Sequence, residues 1–202
     1  MDLPNNTLER ICKVFGYLNS LENIDFISSK ELALAIGSTE HTIRKDVSIL
    51  GIRGYTKKGY DVKTFKIELG NKLNLNKKRK ACIVGLGRLG SALLDYEKFQ
   101  EDEFEIVAGF DCSINKLERI KTGIEVSADI YMKEVIKEKS IELGIITTPA
   151  QAAQGVADKL IDAGVKGILN FSPVKLIVPD NIIYQDMDFT NSLRFIAAQL
   201  ED

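Results

Sequence analysis

The chain has 202 residues, enough for one medium domain or two small ones. Hydrophobic residues make up 45% and charged residues 28%, which describes an ordinary globular chain and excludes a disordered one. The formal net charge of −2 excludes nucleic-acid binding by overall charge, so any such contact needs a local basic patch. No apolar run approaches the roughly 18 residues of a membrane span, and the N-terminus does not read as a signal peptide. Cys12, Cys82 and Cys112 lie far apart without C-x-x-C spacing. Neither a disulfide framework nor a metal site is expected, and the chain reads as a reduced, cytoplasmic protein.

Leu8, Ile11, Phe15, Leu18 and Leu21 recur at three- and four-residue spacing and predict an amphipathic helix. Asn23 to Phe26 reads as a turn. Ser28 to Glu31 is a capping-box pattern that starts a second helix, burying Leu32, Ala35 and Ile36 and stopping at Gly37. A third helix follows Ser38 with Ile43, Val47 and Leu50 as its apolar stripe; His41, Arg44, Lys45 and Ser48 fall on the other side. Two short helices joined by a brief turn, the second presenting cations and hydroxyls, have the layout of a helix-turn-helix. Arg53 to Tyr60 then reads as a glycine-punctuated hairpin, the wing of a winged helix. The residues assigned to DNA are Thr39, His41, Thr42, Arg44, Lys45 and Ser48 from the third helix, and Lys57, Lys58 and Tyr60 from the wing. Lysines there would meet phosphates, while Arg44 and His41 are better placed for base edges. A helical dimerisation module with a solvated basic face fits the same residues. Val62, Phe65 and Leu69 predict one more helix, closed by Gly70. A domain boundary is expected near Asn76, with Lys77-Lys78-Arg79-Lys80 as a linker or a phosphate-facing flank.

Beyond it the pattern becomes strand, helix, strand. Ala81 to Val84 runs into Gly85-Leu86-Gly87-Arg88-Leu89-Gly90, a G-x-G-x-x-G sequence that opens onto an amphipathic segment, Ser91 to Phe99. Glycines at these places allow a tight turn, close backbone approach to a pyrophosphate and close packing of helix on strand. A second strand, Glu105 to Phe110, ends in Asp111, about twenty positions beyond Gly90, where an acidic residue binds an adenosine ribose. A carboxylate there favours NAD(H) over NADP(H). Glu125-Val126, Ile141 to Thr147, Gly167 to Phe171 and Ile182 to Gln185 are further strands, and Pro149 stands in the first turn of a helix that ends at Ala163-Gly164. Ligands of open α/β sheets sit at the carboxyl ends of the strands, which adds Thr147, Thr148, Pro149, Asn170, Phe171 and Ser172 to the candidate cofactor site. Thr147 and Asn170 suit a nicotinamide amide, or equally a cap. Thr190 to Leu200 predicts a terminal helix apolar on more than one side.

A dehydrogenase normally adds a substrate domain after its cofactor domain, whereas here almost nothing follows the sixth strand and the extra domain comes first. The single histidine, His41, lies in that first domain, so no histidine base stands near a nicotinamide. A ligand that is sensed, with no catalytic residues, fits this better than an enzyme does.

Ile27 to Ala33, Ile43 to Ser48, Gly59 to Val62, Gly85 to Tyr96, Gly109 to Asp111 and Ala163 to Val174 together resemble the redox-sensing transcriptional repressor (Rex) family over nearly the whole chain. The resemblance implies an α/β homodimer with an N-terminal winged helix, residues 1–76, and a Rossmann-like doubly wound parallel sheet, residues 77–188. It implies a domain-swapped dimerisation helix at 189–202, and release of a palindromic operator DNA when NADH binds, with NAD+ competing. Tyr96 and Asp188 would belong to the switch between subunits. Two features depart from the family pattern: Gly16 stands where many members have an arginine that joins this switch, and the wing has Ile49-Leu50, Arg53, Thr56 and Lys57 in place of aromatics and a basic-glycine pair. These departures leave open a paralogue that binds the nucleotide but not DNA, and an NAD-dependent oxidoreductase is the third reading.

Overall fold

In the first of the two units into which the chain divides, residues 1–77, apolar residues at helical spacing close around one core. The computed structural model describes residues 3–55, 57–101 and 103–200. Helix α1 (Asn5–Asn19) buries Ile11, Val14, Phe15 and Leu18. Leu8 is exposed, because the buried face at that level is taken by Thr7. In α2 (Ser29–Ile36) the capping box forms as expected: the Glu31 N–H donates to Ser28 Oγ at 3.1 Å and the Ser28 N–H donates to Glu31 Oε2 at 2.8 Å. That start sets the helix phase so that Ser29, Leu32 and Ala33 face inward; Ala35, expected in the core, is exposed. Helix α3 (Glu40–Ile49) buries Ile43 and Val47, with Leu50 buried just beyond its end.

Of the segment read as a turn before α2, Asn23 to Asp25 stay outside regular structure, but Phe26 begins a strand. β1 (Phe26–Ile27) pairs antiparallel with β2 (Tyr60–Asp61), Ile27 opposite Tyr60. Helix α4 (Val62–Leu73) starts where Asp61 Oδ1 accepts from the Thr64 N–H at 2.8 Å. It runs past Gly70 and ends at Asn74, whose left-handed φ of 56° takes the capping role expected of the glycine. A Cβ at Gly70 would stand 2.0 Å from Oδ1 of the exposed Asn76 side chain, which can swing aside.

The second unit, residues 78–202, is built on a parallel sheet. Its strands are β3 (Arg79–Val84), β4 (Phe104–Asp111), β5 (Glu125–Ala128), β6 (Leu143–Ile146), β7 (Gly167–Asn170) and β8 (Ile183–Asp186), in the spatial order β5-β4-β3-β6-β7-β8. All five pairings are parallel. Short strands of Ile, Val, Ala and Cys, buried on both faces, fit such a sheet. One face packs with Val84, Phe110, Ile136 and Leu160, the other with Ala81, Ile83, Leu94 and Ile106. The basic run before the sheet is no linker throughout. Arg79 and Lys80 open β3, and Arg79 pairs with Glu142 at 2.8 Å. Glu142 also holds Lys166 at 3.1 Å; the hydrogen bond from Arg79 and then that from Lys166 keep its carboxyl below the usual range.

The predicted helix over Ser91 to Phe99 divides into α5 (Arg88–Leu94) and α6 (Glu97–Glu101), with Tyr96 at the break. A single short turn, α7 (Ile114–Leu117), follows β4, and a 3-10 turn (Asp129–Tyr131) leads from β5 into α8 (Met132–Lys139). Helix α9 (Ala150–Ala163) buries Ala153, Val156, Ala157 and Leu160 and is closed by Gly164. Pro149 stands one position earlier than expected, as its N-cap. Residues 171–182 cross to β8 without a helix, with Leu176 and Ile182 buried along the way. The chain then enters α10 (Phe189–Ala197), in which no residue is buried. No helix among the described residues is long and apolar enough to cross a membrane.

Candidate functional site

The strand order reverses direction on either side of β3, whose neighbours are β4 and β6. In open α/β sheets the crevice at the carboxyl ends of such strands is the ligand site. Here that crevice is a cavity of about 660 Å³ lined by Gly85, Gly87, Asp111, Lys116, Thr147, Thr148, Pro149 and Lys159, among others. The three glycines serve it differently. Gly85 has φ +99°, and a Cβ there would come within 2.7 Å of Thr148 Cγ2. At Gly90 a Cβ would stand 2.2 Å from the Gly85 carbonyl oxygen, so the absent side chain lets α5 lie directly on the loop. Gly87, the N-cap of α5, has nothing within 4 Å of where its Cβ would be. Two glycines thus close the loop, and the middle one leaves backbone open toward the cavity. This is a cradle that a pyrophosphate fits, since its oxygens can meet main-chain N–H groups without a side chain in between.

The residues around the glycines hold the loop more than they face a ligand. Leu86 is buried and its N–H donates to Asp111 Oδ2 at 2.8 Å, while Arg88 and Leu89 are exposed. Thr147 Oγ1 lies 2.7 Å from the Gly85 carbonyl and 3.1 Å from that of Val84, so its hydroxyl proton is spent on the loop instead of on a nicotinamide amide. The Thr148 hydroxyl is buried with no hydrogen-bond partner among the described residues. Cys82, in the strand beneath, is fully buried, and burial pushes its thiol up to about 12, which makes it inert. Cys112 is exposed on the cavity wall.

Asp111 is 4% exposed and fully engaged. Besides Leu86, it accepts from the Ser113 N–H at 2.8 Å on Oδ1 and from Lys116 Nζ at 3.1 and 3.4 Å on its two oxygens. Asn170 is likewise used up inside the protein. Its amide nitrogen reaches the Val174 carbonyl at 2.8 Å and Asp186 Oδ1 at 2.9 Å, and its oxygen accepts from the Ser172 N–H at 3.0 Å. With no exposed surface it organises the loop after β7, together with Tyr184, whose hydroxyl is shifted up by burial and by Asp186.

The expected cofactor residues therefore fall beside two cavities. Gly85, Gly87, Asp111 and Thr147 to Pro149 line the first, while Leu86, Arg88, Leu89 and Gly90 do not. Phe171 and Ser172 line a second one of about 490 Å³ with Pro173, Lys175, Asp188, Phe189 and Arg194. Ser172 links the two regions by donating to the Thr148 carbonyl at 2.6 Å. The Phe171 and Phe189 rings lie 5.8 Å apart. Tyr96 is half exposed and meets Phe99 edge to face. Asp188 caps α10 by accepting from the Asn191 N–H at 2.9 Å. No hydrogen bond joins Tyr96 to Asp188 within the chain among the described residues.

In the first unit, α3 carries the candidate nucleic-acid face. Thr39 is its N-cap, accepting from the Thr42 N–H at 3.2 Å, and the two hydroxyls lie 2.8 Å apart. His41, Arg44, Lys45 and Ser48 are all exposed, with Arg44 paired to Glu40 one turn back. Behind them is a network that spacing did not reveal. Asp46, 2% exposed, accepts from Arg10 Nε at 2.7 Å and from Thr7 Oγ1 at 3.2 Å, which fastens the hidden side of α3 to α1. A polar residue next to an apolar stripe position was the one available signal.

Tyr60 is a correction. Expected on the DNA face, it is 8% exposed, stacked on Phe65 at 4.5 Å, with its hydroxyl accepting from Ser29 Oγ at 3.4 Å. Alternation along β2 turns it inward. The exposed aromatic of the wing is Tyr55, 62% accessible and edge-on to Phe26, over whose ring Lys58 sits at 5.2 Å. Lys57 occupies the turn with φ +72°. Thr56 lies outside the described residues.

Two family models match the chain: "CoA binding domain" over residues 76–174, and "Putative DNA-binding protein N-terminus" over residues 2–48. The redox-sensing transcriptional repressor Rex of Limosilactobacillus reuteri is 39% identical, covering 99% of this chain and 96% of its own length. That of Carboxydothermus hydrogenoformans is 38% identical over 96% of this chain and 94% of its own. Among solved structures, the repressor RSP in complex with β-NAD+ and operator DNA superposes with a TM-score of 0.88 at 31% identity, covering 98% of this chain and 93% of its own. The same repressor with β-NADH gives 0.85 at 30% identity, covering 98% and 94%.

Proposed function

The chain belongs to the redox-sensing transcriptional repressor (Rex) family, and on that premise we propose that it binds a palindromic operator as a homodimer and loses affinity for it when NADH binds. The observation that carries this reading is the pairing within one chain of two units: one presents Arg44, Lys45 and Ser48 on a helix-turn-helix, the other holds a glycine cradle at the reversal point of a parallel sheet. NADH and NAD+ are ligands that are sensed and not turned over. The relatives that match over nearly the full length are named repressors, and the one histidine of the chain stands on α3. Gly85, Gly87 and Gly90 hold the pyrophosphate, with Asp111 at the ribose; Tyr96 and Asp188 act between subunits. We place the protein in the cytoplasm, where both DNA and the nicotinamide pool are found.

The regulation is thermodynamic linkage. NADH must bind the released arrangement of the dimer better than the DNA-bound one, and DNA must then weaken NADH binding by the same factor. A switch of about 1–3 kcal/mol suffices. Titrating NADH with and without operator tests it: equal affinities sink the reading. A gel shift against a palindromic duplex should show release by NADH and little release by NAD+. Lys45→Ala should weaken operator binding across sequences and lower the salt slope by about one, as loss of one phosphate contact does; unchanged binding would mean that α3 does not meet DNA.

A further inference from the structure

Asp111 reaches the cavity with no vacant place on its carboxylate. Such a group offers about four lone-pair directions. The Leu86 and Ser113 N–H groups take one on each oxygen, both at 2.8 Å, and Lys116 spans the two oxygens at 3.1 and 3.4 Å. The two amides are fixed by the glycine loop and by the turn after β4. Lys116 is different: its contacts are the longest, its donor rides on a flexible stem, and its side chain is 52% exposed. Asp111 and Lys116 line the same cavity.

We propose that Lys116 sets how strongly this site separates NADH from NADPH, by competing with the ribose for Asp111 and by pairing with a 2′-phosphate. The inference rests on the nucleotide reading given above. A ribose hydroxyl that donates to Asp111 takes the place of the ammonium, because neither backbone amide can leave without opening the loop. The freed ammonium stays beside the ribose. Facing a 2′-hydroxyl it gains little. Facing a 2′-phosphate it forms a charge-assisted contact, roughly twice as strong as a neutral one. Asp111 alone would repel that phosphate; the Asp111–Lys116 pair does not, so discrimination by the wild type is shallow. The other cation on the cavity wall, Lys159, is held by Asp129 at 2.6 Å and supplies a comparison of equal charge.

The test is direct binding of NADH and NADPH to the full chain by calorimetry, for the wild type, Lys116→Ala, Lys116→Gln and Lys159→Ala. Removing Lys116 should tighten NADH by about threefold, the scale of a partly exposed ion pair. It should weaken NADPH by about tenfold, the scale of a lost charged contact. The two effects multiply in the ratio of dissociation constants, and Lys116→Gln should move it the same way. Lys159→Ala, with the same loss of charge, should change the ratio by less than about threefold. If both Lys116 variants leave the ratio at its wild-type value, or if Lys159→Ala moves it as far, the proposal is wrong. A wild-type chain that binds neither nucleotide overturns the reading of the cavity itself, which is a separate result.

Discussion

Gly87 and Gly90 stand three positions apart at the start of α5 and have opposite surroundings. An added methyl at Gly90 meets the Gly85 carbonyl at 2.2 Å, and a backbone atom cannot step aside; at Gly87 it meets nothing within 4 Å. Gly90→Ala should therefore cost stability, in the range of about 1–3 kcal/mol for overpacking, and lose nucleotide binding with it. Gly87→Ala should melt like the wild type and yet bind NADH at least about tenfold more weakly, because its methyl fills space a ligand needs. Thermal melts beside NADH titrations separate the two, and a Gly87→Ala protein of wild-type affinity would show that the ligand does not approach there. Tyr60 offers the parallel case in the first unit. Stacked on Phe65 and buried, it should tolerate Tyr60→Phe with unchanged operator affinity, whereas Tyr60→Ala should lose about 3 kcal/mol in urea unfolding.

Elements show where periodicity sufficed and where it did not. The capping box at Ser28 and the Ile43–Val47–Leu50 stripe were legible because each depends on neighbours within a turn or two. β1 was not, since two residues become a strand only when β2, more than thirty positions away, comes alongside. The second half of the basic run was misread for a similar reason: Arg79 and Lys80 join β3 by pairing with Phe104 and Glu105 of β4, a distant segment. In α1, Gly16 has nothing within 4 Å of its absent Cβ and sits on the exposed side. Gly16→Ala should stabilise the protein by about 1 kcal/mol through helix propensity alone. Gly16→Arg fits the same space and introduces the arginine that the family resemblance implies at this place. It should melt no lower than the wild type and steepen the effect of NADH on operator affinity, which a gel shift at graded NADH would report.

At the level of the whole molecule the feature left uncovered is α10. Phe189, Leu193, Phe195, Ile196 and Leu200 are all more than half exposed, an apolar surface that a stable chain covers. A chain carrying Leu193→Asp and Ile196→Asp should run as a monomer in light scattering. It should also bind a palindrome far more weakly, since two half-sites then no longer share one ligand; a dimer that survives both changes would place the interface elsewhere.

The alternation of strands and helices beyond residue 78, the glycine loop, the acidic residue after the second strand and the cations of α3 were all readable from residues in series, because each rests on local spacing. The tertiary structure alone decided which of these groups remain available. Asp111, Thr147 and Asn170 look identical in sequence to free ligand contacts, but each is also held by a partner from another segment: Leu86 for the first, Gly85 for the second, Asp186 for the third. Tyr60 turned inward for the same kind of reason. A hydrogen bond or a ring contact belongs to two positions at once, and the distance between them is set only when the sheet and its helices close.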